Sequence, residues 1–217
     1  MEQVMKYLEA KTIMKVRSFA LPYSKEECVR MLTGAVKKTT SESYSLYEET
    51  NEFKTALDTC AEWLQDNRLP DGILLQGLCG NGKTVLAKSM MCLATLTCPG
   101  IQWRFATAKY ISDLISEHNG DESGRLEFER ICTTPILTVD DLGVEPPAVR
   151  VYGDFKSPLV DLLTYRYAQR LPTVVTTNLS NKQLDEVYGP RLKDRFSQFF
   201  MVVHVWGSSF RKCQGTP

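Results

Sequence analysis

The residues best suited to chemistry stand in one run, Gly77-Leu78-Cys79-Gly80-Asn81-Gly82-Lys83-Thr84. An apolar stretch from Gly72 to Gln76 leads into it, and a helix-like pattern leaves it. This is the G-x-x-x-x-G-K-[ST] phosphate loop in the strand-to-helix setting it requires. A nucleoside triphosphate is a chain of anionic oxygens, and a glycine-rich turn lets successive backbone N–H groups point at them. The helix that follows adds its free N-terminal donors and positive dipole end. Lys83 is expected to reach the β- and γ-phosphates, and the Thr84 hydroxyl to ligate Mg²⁺. Gly77, Gly80, Asn81, Gly82, Lys83, Thr84 and Val85 are the expected nucleotide-binding residues.

Two further polar groups end apolar runs. Pro135-Ile136-Leu137-Thr138-Val139 ends on Asp140-Asp141, and Pro172–Thr177 ends on Asn178. An acid at the end of a buried strand downstream of a phosphate loop is where Mg²⁺ is held, a role that falls to Asp140. Asp141 would then be the base that polarises the attacking water. The Asn178 amide can orient water or contact the γ-phosphate. Guanine recognition calls for N-K-x-D; Asn181-Lys182-Gln183-Leu184-Asp185 is one residue too long and lies in a helical pattern, so ATP is the expected nucleotide.

Those groups need a scaffold that brings strand ends together. Three continuous apolar strands (72–76, 135–139, 172–177), a fourth over 102–106 and a last over 199–205 alternate with helical patterns. Continuous apolar strands in βα alternation predict an α/β fold with a parallel sheet covered on both faces. Ligands of such sheets sit at the carboxyl ends of the strands. Upstream, Phe53, Leu57, Cys60, Ala61 and Leu64 repeat at helical spacing, and Ser24 followed by Glu27 forms a capping box for a short helix through Leu32. Lys37–Ser43 is polar without periodicity and reads as a linker. Residues 1–45 are therefore an N-terminal helical and linker segment, a candidate partner-binding arm, and 46–217 the main domain.

Lys+Arg and Asp+Glu balance at 26 each, so no global basic field draws the 217-residue chain to nucleic acid; any such contact would come from a local patch. Seven scattered cysteines without a C-x-x-C pair, and only two histidines, exclude a zinc cluster and fit reduced thiols. No signal-peptide layout and no run near ~18 apolar residues appear, so a cytoplasmic protein with no membrane contact is expected.

Several segments occur in a telling order: Gly77–Thr84, Val139–Glu145, Tyr165-Arg166-Tyr167, Pro172–Leu179, Tyr188–Arg195 and Gly207–Arg211. Together they resemble the AAA+ ATPases of the DnaC/IstB type, bacterial replicative-helicase loaders and transposition helper ATPases. The resemblance spans roughly residues 46–212. It implies a P-loop NTPase fold, Asn178 as the sensor-1 residue, Arg195 as an arginine finger inserted into the neighbouring subunit's site, and Arg211 as a sensor-2-like arginine. Arg191 is a second finger candidate. Taken by themselves, Arg191, Lys193 and Arg195 are a basic helix face. A finger acting in trans implies a homo-oligomer.

Two departures from the resemblance matter. Asp141 stands where many AAA+ proteins have Glu, which implies slow turnover by the chain alone. The sequence also ends soon after its last strand, so no full C-terminal lid domain is expected. The resemblance implies an ATP- and Mg²⁺-dependent helicase loader in DNA replication, with a replicative DNA helicase and single-stranded DNA as partners. Lys109, Arg125 and Arg130 are the candidate DNA contacts. The alternatives are a transposition helper assembling on duplex DNA and a nucleotide-gated adaptor with little turnover.

Overall fold

A computed structural model describes residues 17–42, 50–117, 122–151 and 154–207. Five parallel strands form the sheet: β1 (Gly72–Gln76), β2 (Trp103–Thr107), β3 (Ile136–Leu142), β6 (Thr173–Thr177) and β7 (Phe200–His204). Their spatial order is β2-β3-β6-β1-β7. Two three-residue strands, β4 (Val149–Val151) and β5 (Asp154–Lys156), pair antiparallel as a separate hairpin after β3. The order places β6 between the strand of the phosphate loop and the strand of the acids. Asn178 thus emerges between Lys83 and Asp140.

Helices cover both faces. On one lie α1 (Lys25–Glu42), α2 (Asn51–Gln65) and α3 (Lys83–Thr97), packed on Ile73, Leu75, Val174 and Val203. On the other lie α4 (Ala108–Glu117), α5 (Glu122–Thr133), α6 (Pro158–Gln169), α7 (Asn181–Tyr188) and α8 (Pro190–Phe199), packed on Leu74, Leu137, Val139 and Val175. Alternate residues of β1 therefore feed opposite cores, as the two-residue period of a strand dictates. Burial of an apolar side chain such as Leu75 is worth about 1.5–3 kcal/mol, so both faces contribute to holding β1.

The Ser24 capping box is present: Glu27 N–H donates to Ser24 Oγ at 3.2 Å, and Ser24 N–H to Glu27 Oε2 at 2.8 Å. The helix it opens does not stop near Leu32, however. It runs to Glu42, absorbing most of the polar stretch that reads as a linker. Thr40 is buried and bonds back to the Val36 carbonyl at 2.8 Å, and Thr39 meets Ser89 of α3. Hydroxyls that bond their own helix let polar residues continue it without an apolar signal. Cys28, Leu32 and Val36 share the core of α2 and α3. The helix α5 likewise opens on Glu122-Ser123-Gly124, residues with no apolar period.

The amino edge of the sheet is held by buried guanidinium groups. Arg166, fully buried on α6, donates to the carbonyls of Cys132 (3.0 Å), Thr134 (2.7 Å) and Pro172 (2.7 Å) and to Thr173 Oγ1 (2.8 Å). Arg17 lies 3.9 Å from the centre of the Trp63 ring and donates to the carbonyls of Phe19 and Trp63. Burial lowers both, Arg17 to about 10 and Arg166 to about 9, which leaves them charged at neutral pH. The six described cysteines form no disulfide, and no described helix is long and apolar enough to cross a membrane.

Candidate nucleotide site

The phosphate loop is built against the last strand. Gly77 N–H donates to the Thr177 carbonyl at 3.3 Å, and a Cβ on Gly77 would lie 2.3 Å from the Val205 carbonyl oxygen, so only glycine fits there. The same Val205 oxygen accepts from Asn81 Nδ2 at 3.2 Å, while Val205 N–H donates to Gln76 O at 2.7 Å. Asn81 is therefore a brace for the loop. Gly80 and Gly82 take φ values of 89° and 86°, and Gly82 caps the start of α3. Val85, in the first turn of α3, is half-buried against the core.

Lys83 is buried, and its ammonium donates to Gly77 O (2.8 Å), Leu78 O (2.7 Å) and Asn178 Oδ1 (2.6 Å). The structure thus brings together the loop lysine and the polar amide of β6 across 95 residues of chain. Thr84 Oγ1 donates to Asp140 Oδ1 at 2.9 Å, which also accepts from Thr176 Oγ1 at 2.6 Å. Burial raises the Asp140 carboxyl above its ordinary value, opposed by those two hydroxyl donors. A hydroxyl and a carboxylate converging at the start of α3 are hard oxygen donors of the kind Mg²⁺ takes, so these residues fit that ion.

Asp141 is half-buried and sits in the left-handed region with φ 56°, a conformation few non-glycine residues adopt. Its N–H donates to Thr176 Oγ1 at 2.9 Å, at an irregularity in the β3–β6 register between Val139 and Leu142. Backbone strain of order 1–3 kcal/mol at such a residue persists where the surroundings enforce it. Here β3 continues through the acids to Leu142, beyond its expected end at Val139, and the irregularity turns consecutive carboxylates into different surroundings. Thr176 binds to both and carried no sequence signal beyond being a polar residue in an apolar strand.

Arg195 lies on α8, half-buried, and donates to Thr164 Oγ1 of α6 at 2.6 Å, with its guanidinium 6.0 Å from the Tyr167 ring centre. It is thus set on the face of the sheet opposite α3. Arg191 is on the same helix, and Arg211 lies outside the described residues. Lys109, Arg125 and Arg130 each pair with an acid within four residues on their own helix (Asp113, Glu129 and Glu127). Such exposed pairs are worth about 0–1 kcal/mol and offset the local positive charge.

A five-stranded parallel sheet in this order, a phosphate loop after β1, an acid pair on β3 and an amide at the end of the intervening β6 define a P-loop ATP-binding protein of the AAA+ class. The chain matches the family described as IstB-like ATP binding protein over residues 29–216, and it belongs to that family. None of the curated proteins compared with it matches. Among solved structures it is similar to the DnaC helicase loader (21% identity, TM-score 0.59), covering 74% of this chain and 94% of that one. It is similar to DnaI (18%, 0.60), covering 86% and 96%. It also resembles AMPPCP-bound DnaA from Aquifex aeolicus (17%, 0.58), covering 73% of this chain but 48% of DnaA. At these identities the likeness is one of fold.

Proposed function

We propose that this protein is a Mg²⁺-dependent ATPase that loads a replicative helicase onto single-stranded DNA from an ATP-assembled oligomer. The observation that carries the chemistry is the convergence of Lys83, Asn178, Thr84 and Asp140 at the carboxyl edge of the sheet. The loader assignment is supported by the fold shared with DnaC and DnaI over nearly the whole of those chains. The match to IstB-like proteins favours a second reading, a transposition helper on duplex DNA.

Lys83 exchanges its carbonyl partners for phosphate oxygens, which accept the same three protons with a full negative charge. Thr84 and Asp140 hold Mg²⁺, which when bound offsets charge on the phosphate chain. Asp141, held apart from Asp140 by its left-handed backbone, takes the proton of the attacking water, and Asn178 orients that water beside Lys83. Arg195 stabilises the charge that develops on the phosphoryl group of the neighbouring subunit.

Hydrolysis measured with single-stranded and duplex DNA, for the native chain and Arg195→Ala, tests this. The expected outcome is stimulation by single strands that Arg195→Ala removes. Stimulation by duplex alone would move the assignment to the transposition helper. Equal, DNA-independent rates in both proteins would refute the oligomeric ATPase and leave a nucleotide-gated adaptor.

A further inference from the structure

Glu145 lies four residues past Asp141, yet it is buried, 5% exposed. Its Oε2 accepts the Gly143 N–H at 2.9 Å, and its Oε1 accepts the hydroxyl of Tyr188, itself buried. Tyr188 is the last residue of α7, and Gly189-Pro190 turns directly from it into α8, the helix of Arg195. One side-chain pair therefore ties the turn after Asp141 to the junction that aims Arg195.

The turn itself is closely held on its other side. Val144 N–H closes it on Asp141 O at 3.3 Å. Gly143 has φ 104°, and a Cβ there would lie 2.5 Å from Leu179 Cδ1, next to Asn178. Thr177 Oγ1 donates to Leu142 O at 2.7 Å. Glu145 is the contact that carries this held geometry away from the sheet edge. By contrast, α7 and α8 border a partly open cleft of about 380 Å³ lined by Leu74, Leu184, Tyr188, Phe196 and the exposed Val202. A helix pair with a cleft on one side is held mainly by its other contacts, so a specific hydrogen bond at its hinge has leverage on its orientation.

A buried carboxylate is costly unless paired, and a leucine would fill the same space more cheaply. Burial raises the Glu145 carboxyl and the Tyr188 hydroxyl alike. We propose that Glu145 and Tyr188 are positioning residues that couple the two halves of the hydrolytic machinery. Through the Asp141–Glu145 turn they hold the base of the subunit's own site, and through the α7–α8 junction they aim the arginine it presents to its neighbour. This rests on the trans-finger reading above, and deepens it by naming the link between sites.

Tyr188→Phe keeps the ring in its core position and removes one hydroxyl; Glu145→Gln is the second variant. In each, kcat falls about tenfold while affinity for a fluorescent ATP analogue and the melting temperature stay near native values, since misplacing reacting groups costs rate before binding. The decisive assay mixes Asp141→Asn subunits, which donate a finger, with Arg195→Ala subunits, which keep an intact site. Hydrolysis is expected to return on mixing. Adding Tyr188→Phe to the Asp141→Asn donors lowers the recovered rate about tenfold, although those subunits hydrolyse nothing themselves. A recovered rate unmoved by Tyr188→Phe in the donors overturns the coupling. No recovery in the parent mixture refutes the finger in trans, and the coupling falls with it.

Discussion

The two edges of the sheet both bury charge, and they use it oppositely. At the amino edge, Arg166 is surrounded by three backbone carbonyls and a hydroxyl that belong to the ends of α5, β3 and β6. None of those acceptors can leave without unfolding a strand start. At the carboxyl edge, Lys83 rests on two loop carbonyls and the exposed Asn178 amide, and Asp140 on two threonine hydroxyls. Each of these partners can be traded for a phosphate oxygen or a metal ion without moving a strand. Burial of a charge therefore does not define a site; the exchangeability of its partners does.

The sharpest test of this contrast exchanges the two lesions. Arg166→Leu strands four acceptors and is expected to cost ~3–4 kcal/mol in urea unfolding. Lys83→Ala should leave the unfolding midpoint near native while weakening ATP binding by roughly a hundredfold, the scale of a lost buried charge contact. Comparable instability in both variants would dissolve the distinction between the edges.

Asp140→Asn is the next test. It should abolish Mg²⁺-dependent hydrolysis yet leave the fold more stable than the native one, because burial disfavours the negative charge. Chemical denaturation alongside a rate measurement checks both signs.

The smallest effect is on pH. Burial sets the Asp140 and Glu145 carboxyls above their unfolded values, so in the fold they take up protons earlier on acidification. Each thus adds stability as pH falls through its folded pKa, while the loss of the Asp140 charge would take away the ligand proposed for Mg²⁺. Activity is expected to fall before tryptophan fluorescence reports unfolding. Coincident curves would show that acid acts through the fold instead.

Much of this was legible in the sequence where one residue type answers one physical demand. The phosphate loop needs its glycines and lysine, and strands buried on both faces need unbroken apolar runs, so β1, β3, β6 and the placing of Lys83, Thr84 and Asp140 at their ends stand out. Other features leave weak traces. The β4–β5 hairpin has three-residue strands, too short for a period. Thr39 and Thr40 extend α1 through hydroxyl contacts rather than apolar spacing. Arg166 looks like any helix arginine until the carbonyls around it are known, and Thr176 serves both acids only because the β3–β6 register slips beside them.

The Val205 carbonyl, which accepts from Asn81 and lies close against Gly77, also sets an order of events. Strand β1 is flanked by β6 and β7, whose residues facing Gly72 are Thr173 and Phe200, far along the chain. Loop closure across such separations is slow, and β1 gains neither neighbour until the late segments are made. The phosphate loop therefore acquires its shape last, when the edge strand docks and Val205 closes over it. Competence to hold ATP becomes a report that the chain has finished folding, and ATP present at that moment draws the late strand into place by mass action.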